Sequence, residues 1–114
     1  MAQPIYTEET NPNGIRLSDW GVDGNGILAI SANTYKAGSV LGKNADGDFE
    51  LTTDATKAEA VLLGDVDASS EKKNAPILLG GVVDEDMLVF GGTLTADDAR
   101  DALRDKNIYL KKRG

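Results

Sequence analysis

A chain of 114 residues suffices for one domain that buries about two-thirds of its unfolded surface, and it leaves no room for a second. Twelve Lys and Arg against nineteen Asp and Glu give a net charge of −7, a surface that phosphate backbones and anionic lipid repel, so neither nucleic acid nor membrane is an expected partner. With no cysteine and no histidine there are no disulfides, thiol chemistry, usual zinc ligands or commonest general base, while thirteen glycines favour a turn-rich β fold over a helical bundle.

Residues 1–26 carry the large apolar side chains Ile5, Tyr6, Ile15, Leu17 and Trp20 without a steady period, among Asn, Gly, Pro, Thr and Glu. Burying five such groups returns about 7–15 kcal/mol, whereas ordering about twenty residues costs about 20–40 kcal/mol, so an extended arm that orders only on a partner is expected. An edge strand packed on its own domain is the alternative, because Ile15, Leu17 and Trp20 could reach the core. The opening residues have neither a basic nor an apolar region, and no apolar run much exceeds four residues, so neither a signal peptide nor a membrane span is expected.

Residues 27–114 read as a β-rich domain. Residues 27–30 and Val40-Leu41 are short apolar strands, and residues 44–48, Asn-Ala-Asp-Gly-Asp, supply the turn of a hairpin whose second strand alternates as Phe49-Glu50-Leu51-Thr52. Residues 53–57 form a polar linker, residues 60–63 a strand buried on both faces, and residues 65–74 a surface loop. Ile77-Leu78-Leu79, Val82-Val83 and residues 87–90 follow as strands, with turns at Gly80-Gly81 and at the acidic residues 84–86. Only residues 96–106 look helical: Thr95 is an N-cap, Asp97 and Asp98 favour the first turn, and Ala99, Ala102 and Leu103 share a face. Asn107 can take a left-handed stop before the short strand 108–110 and the basic end Lys111-Lys112-Arg113, which is a solubilising tail or a contact for an acidic partner.

Chemistry-bearing patterns are weak throughout. Residues 24–29 spell Gly-x-Gly-x-x-Ala, but polar residues precede them and Ser31, Asn33 and Thr34 follow too soon for the helix a dinucleotide site needs. Residues 38–43 lack the spacing of a phosphate loop, and Asn44 stands where a magnesium-binding hydroxyl belongs. Asn44, Asp46 and Asp48 have calcium-loop spacing, yet Phe49 occupies the glycine position and Ala55 that of the bidentate glutamate. The pairs Asp65/Asp67 and Asp84/Asp86 have no nucleophile motif beside them and read as solvated turns. No cofactor, metal or enzymatic activity is expected. Tyr6 and Trp20, aromatics in a polar arm, are better candidates as anchors at an interface.

Several motifs in order carry a resemblance. Residues 4–8, Pro-Ile-Tyr-Thr-Glu, precede residues 13–19, Asn-Gly-Ile-Arg-Leu-Ser-Asp; residues 36–43 read Lys-Ala-Gly-Ser-Val-Leu-Gly-Lys; residues 65–69 read Asp-Val-Asp-Ala-Ser; and residues 77–83 and 108–111 follow. Nearly end to end, the chain resembles the lambda-type head decoration proteins, the capsid-stabilising proteins of tailed phages, whose Leu-Ser-Glu is here Leu17-Ser18-Asp19 and whose Ala-Gly-Thr-Val-Leu-Gly-Lys is close to residues 37–43. The segment before Ile27 is shorter than in many members, and the glycine pairs 80–81 and 91–92 are further departures.

The resemblance implies a mostly β (α+β) fold, a compact β-clip-like domain with one small C-terminal helix and an extended N-terminal arm. It implies a homotrimer, with a monomeric free form as the alternative, on the outer surface of the expanded virion shell. The arm orders on the major capsid protein, and the protein is made in the host cytoplasm. Ile5, Tyr6, Ile15, Leu17 and Trp20 are the expected arm contacts, chosen from apolarity and position and not from the family. The rival reading is a small-ligand or sugar-binding β module, calcium-dependent through its turn carboxylates.

Overall fold

A computed structural model describes residues 15–112, apart from the side chain of Asp19. Six strands, β1 (Arg16–Leu28), β2 (Val40–Lys43), β3 (Phe49–Leu51), β4 (Ala60–Leu62), β5 (Lys73–Asp84) and β6 (Ile108–Lys111), form one mixed sheet in the order β1-β3-β2-β4-β5-β6. β1 also pairs antiparallel with β5, so the first five strands close on themselves as a small barrel. β6 runs parallel to β5 along residues 81–84, continuing the edge that β4 occupies at Ile77 and Leu78. The protein is thus mostly β, with α1 (Ala96–Asp105) the single α-helix among the described residues.

The continuous apolar runs of the central strands follow from burial on both faces. Leu28, Leu41, Phe49, Ala60, Leu62, Ala75 and Ile77, with Tyr35 and Ala68, fill the barrel. Their strand neighbours Val40, Val61, Leu63, Leu78 and Val83 point outward into a second core, which Ile15, Ala99, Leu103 and Ile108 complete beneath α1. The period-two alternation therefore feeds two cores instead of one core and solvent.

Local chemistry shapes the connections as expected. The β2–β3 hairpin turns where Asn44 Oδ1 accepts from the N–H groups of Asp46 and Asp48 at 2.9 and 3.1 Å, with Gly47 at φ +86°. Before α1, Thr95 Oγ1 accepts from the Asp98 N–H while the Asp98 carboxylate accepts from the Thr95 N–H, a closed capping box. Thr95→Ala is accordingly expected to cost about 1 kcal/mol in urea unfolding. After the helix, Asn107 takes φ +67° and turns the chain into β6.

Four expectations are corrected. Residues 15–26 are not part of a free arm, because Ile15 is buried and β1 begins at Arg16, held along β5 by a ladder extending to Leu28. The strand expected at 27–30 is the end of β1, which stops at Leu28. Gly80-Gly81 is not a turn: β5 runs straight through it for twelve residues, with Gly81 at φ +138° absorbing a shift of register against β1. Residues 87–90 form no strand. Glu85–Met87 is a 3-10 turn that Asp84 caps through the Asp86 N–H, and Val89 makes one parallel bridge to Ser39.

Candidate functional site

The residues most specific in the sequence prove to be structural. Tyr35 and Val66 exchange backbone hydrogen bonds at 2.8 Å in both directions, and Asp65 Oδ1 accepts from the Ala37 N–H at 2.7 Å, so the motifs at residues 36–43 and 65–69 clasp one another. The Tyr35 hydroxyl donates to the Ala29 carbonyl at 2.7 Å, and its pKa lies above the ordinary value because it is buried, with the charge of Glu50 adding to the effect. Asp67 accepts from the Ser69 N–H, and these hydrogen bonds hold its carboxyl below the usual range. The two aspartates close turns. Asp48 is engaged by Lys72 at 2.6 Å, which raises the lysine pKa, and Asn44 is occupied by its own turn. The residues 24–29 lie within β1 and the bend that follows it, with no helix after them, so the dinucleotide geometry is absent there.

The root of the N-terminal segment is built differently. Arg16 is 4% exposed, and its Nη1 donates to Asp23 Oδ1 at 2.7 Å. A buried guanidinium needs space as well as a partner, and glycines supply the space. A Cβ on Gly21 would lie 2.7 Å from Arg16 Nη1 and 3.2 Å from the Gly80 carbonyl oxygen, and one on Gly81 would meet Arg16 Cδ at 3.6 Å. Gly21→Ala is expected to push the guanidinium off Asp23 and cost about 1–3 kcal/mol, read as a fall in the urea midpoint.

Above this ion pair β1 leaves its ladder. Arg16 stands opposite Val83 and Gly21 opposite Gly81, so residues 17–20 bulge out against Val82 alone. Ser18 Oγ holds the bulge, accepting from the Val82 N–H at 3.1 Å and donating to the Trp20 carbonyl at 2.5 Å. Trp20 is thereby carried outward and meets the Tyr109 ring edge-on, centroids 6.3 Å apart and planes at 67°. Beyond the barrel, the first half of β1, the last half of β5 and β6 continue as a three-stranded sheet. One face packs on α1 through Val83, Ile108 and Leu103. The other presents Trp20, Val22, Leu79 and Tyr109 at 48, 55, 38 and 39% exposure.

Of the five expected contacts, Ile15 is core, Leu17 is half-buried in the bulge and Trp20 is exposed on the sheet face. Ile5 and Tyr6 lie outside the described residues. The structure brings Trp20 together with Tyr109, which was not among the five. The buried Arg16 and the exposed Tyr109 were missed in the sequence. Alternation could have flagged Tyr109, since Ile108 and Leu110 flank it on the core side, whereas nothing local marks a buried arginine whose room comes from Gly21.

No curated protein matches the chain. The model of one protein family, the bacteriophage lambda head decoration protein D, matches residues 17–108, from the bulge of β1 through the barrel and α1 to the first residue of β6. The chain therefore belongs to the lambda head decoration protein D family, structural components of the phage head.

Proposed function

We propose that the protein binds as trimers to the outside of the expanded icosahedral capsid and stabilises that shell against the pressure of packaged DNA. The observation that carries the reading is the family match over residues 17–108. Its partner is the major capsid protein. A surface of net charge −7 does not compete for the DNA the shell encloses, and the protein reaches the virion surface from the host cytoplasm. The β-clip relationship of the fold belongs to the same reading.

The segment before β1 does the binding. Residues 1–14 precede Ile15, whose burial, together with that of Arg16, gives a fixed root that can transmit load into the sheet. Ile5 and Tyr6 are the contacts on the shell, with Leu17 at the root; Ile15 is the anchor instead of a contact. An extended segment of this kind adds a strand to an exposed sheet edge, where main-chain hydrogen bonds supply affinity and two or three side chains supply register. Three such segments per trimer raise the effective concentration of each to about the millimolar range, so weak single contacts hold firmly together. Expanded and unexpanded shells are told apart if only one of them exposes the docking edge.

Co-sedimentation with purified heads tests this. The full chain should saturate expanded heads and leave unexpanded ones bare, and a chain lacking residues 1–14 should lose at least about tenfold in apparent affinity because all three arms are removed at once. Saturation of expanded heads by the truncated chain would refute the role of the arm, and binding of the full chain to neither form would refute decoration itself.

A further inference from the structure

We propose that the basic end of the chain, Lys111 and Lys112 with Arg113 following in sequence, is a second contact with the shell, and that it meets an acidic stretch of the subunit that receives the arm. The inference rests on the decoration reading and supplies the chemistry of a contact that the reading leaves unassigned.

Topology carries the first step. β1 starts, and β5 and β6 end, at the same end of the three-stranded sheet: the Asp84 N–H donates to the Ile15 carbonyl at 2.7 Å on one side, and Lys111 stands in register with Asp84 on the other. Two strand spacings, about 10 Å, therefore separate the root of residues 1–14 from the basic end. A surface that grips the arm beside Ile15 lies within reach of these lysines. β6 is also the last strand of the sheet, so no other described strand covers its outer edge.

Charge carries the second step. Six of the described cations, Arg16 and Arg100 among them, pair with the chain's own carboxylates. Lys111 and Lys112 pair with none among the described residues: Glu85, in the turn after β5, is taken by Arg100, and the exposed Asp86 beside it does not reach them. Lys36, Lys57 and Lys106 are exposed and unpaired too, but each stands singly, whereas Lys111 and Lys112 are consecutive. An acidic surface repels the rest of a molecule of net charge −7 and attracts this end, so the contact also turns the root of the arm toward the shell. Lysines on an edge strand discourage unwanted strand pairing as well, but that role alone predicts that their charge leaves shell binding unchanged.

Co-sedimentation of the full chain and its charge variants with expanded heads tests the contact. The double variant Lys111→Glu/Lys112→Glu should keep its circular dichroism and urea midpoint, since both side chains are exposed. It should lose at least about tenfold in apparent affinity in about 0.1 M salt, because the reversal is repeated in each copy of the trimer. Lys111→Gln/Lys112→Gln should show a smaller loss in the same direction. Raising the salt to about 1 M, which shortens the Debye length from about 10 to about 3 Å, should weaken the unaltered chain and narrow its advantage over the glutamate variant. Equal binding by the unaltered and glutamate chains would overturn the proposal and leave decoration in place. So would recovery of full affinity when Glu8→Lys and Glu9→Lys are added to the glutamate variant, which would make the arm's own carboxylates the partner. Binding of the unaltered chain to neither expanded nor unexpanded heads would refute decoration and this contact together.

Discussion

Gly38→Ala is expected to leave little folded protein. Gly38 has φ +92°, a backbone region where a β-carbon is strained at roughly 1–3 kcal/mol, and a Cβ there would sit 2.1 Å from the Met87 carbonyl oxygen. Neither side can yield cheaply. The Gly38 N–H donates to the Leu62 carbonyl at 2.8 Å and its carbonyl accepts from the Val89 N–H at 2.9 Å, so moving it disturbs the barrel on one side and the 87–90 segment on the other. The combined cost should exceed about 4 kcal/mol, a large share of the ~5–15 kcal/mol that stabilises an ordinary domain. Gly47→Ala is the internal control: its φ of +86° is similar, but a Cβ there would meet nothing within 4 Å, so only the backbone strain of about 1 kcal/mol remains. Urea midpoints for the two variants measure the difference. Equal losses would show that conformation matters and crowding against Met87 does not.

Truncation should have a sharp limit. Removing residues 1–14 stops short of Ile15 and is expected to leave the urea midpoint nearly unchanged, whereas removing residues 1–19 deletes Ile15 from the core beneath α1, Arg16 from its place between Gly21 and Gly81, and Ser18 from the bulge. Loss of the buried isoleucine alone is worth about 2–5 kcal/mol. Asp84 also loses the partner of its N–H, the Ile15 carbonyl at 2.7 Å, and Asp23 keeps a partly exposed carboxylate without its guanidinium. The longer truncation is therefore expected to unfold or aggregate, and shell binding cannot be read from it. Only the shorter one separates binding from folding. A chain lacking residues 1–19 with native circular dichroism and an unchanged midpoint would contradict this account of the root.

The two experiments bear on one architectural point. Two close approaches depend on a glycine that admits another group: Met87 at Gly38, within residues 36–43, and Arg16 at Gly21, beside the bulge of β1. Residue choice at Gly38 and Gly21 thus follows from close packing.

Elements specified by neighbours in sequence were legible without coordinates. The β2–β3 hairpin follows from the Asn44–Gly47 turn, α1 from Thr95, the aspartates of its first turn and the stop at Asn107, and β4 from an apolar run too short for a helix. Each depends on hydrogen bonds or steric limits within a few residues. What the tertiary structure decided is the fate of residues 15–26. Counting only their own apolar side chains predicts an arm, but their partners are residues 73–83, and the ladder to β5 together with the core beneath α1 supplies stabilisation that no local window contains. The same distance hid Gly80-Gly81, where a glycine pair that reads locally as a turn is the middle of the longest strand of the barrel's second half. Gly81 takes φ +138° there and absorbs a register shift against β1, whose residues lie about sixty positions earlier in the chain, and sequence order carries no record of that proximity.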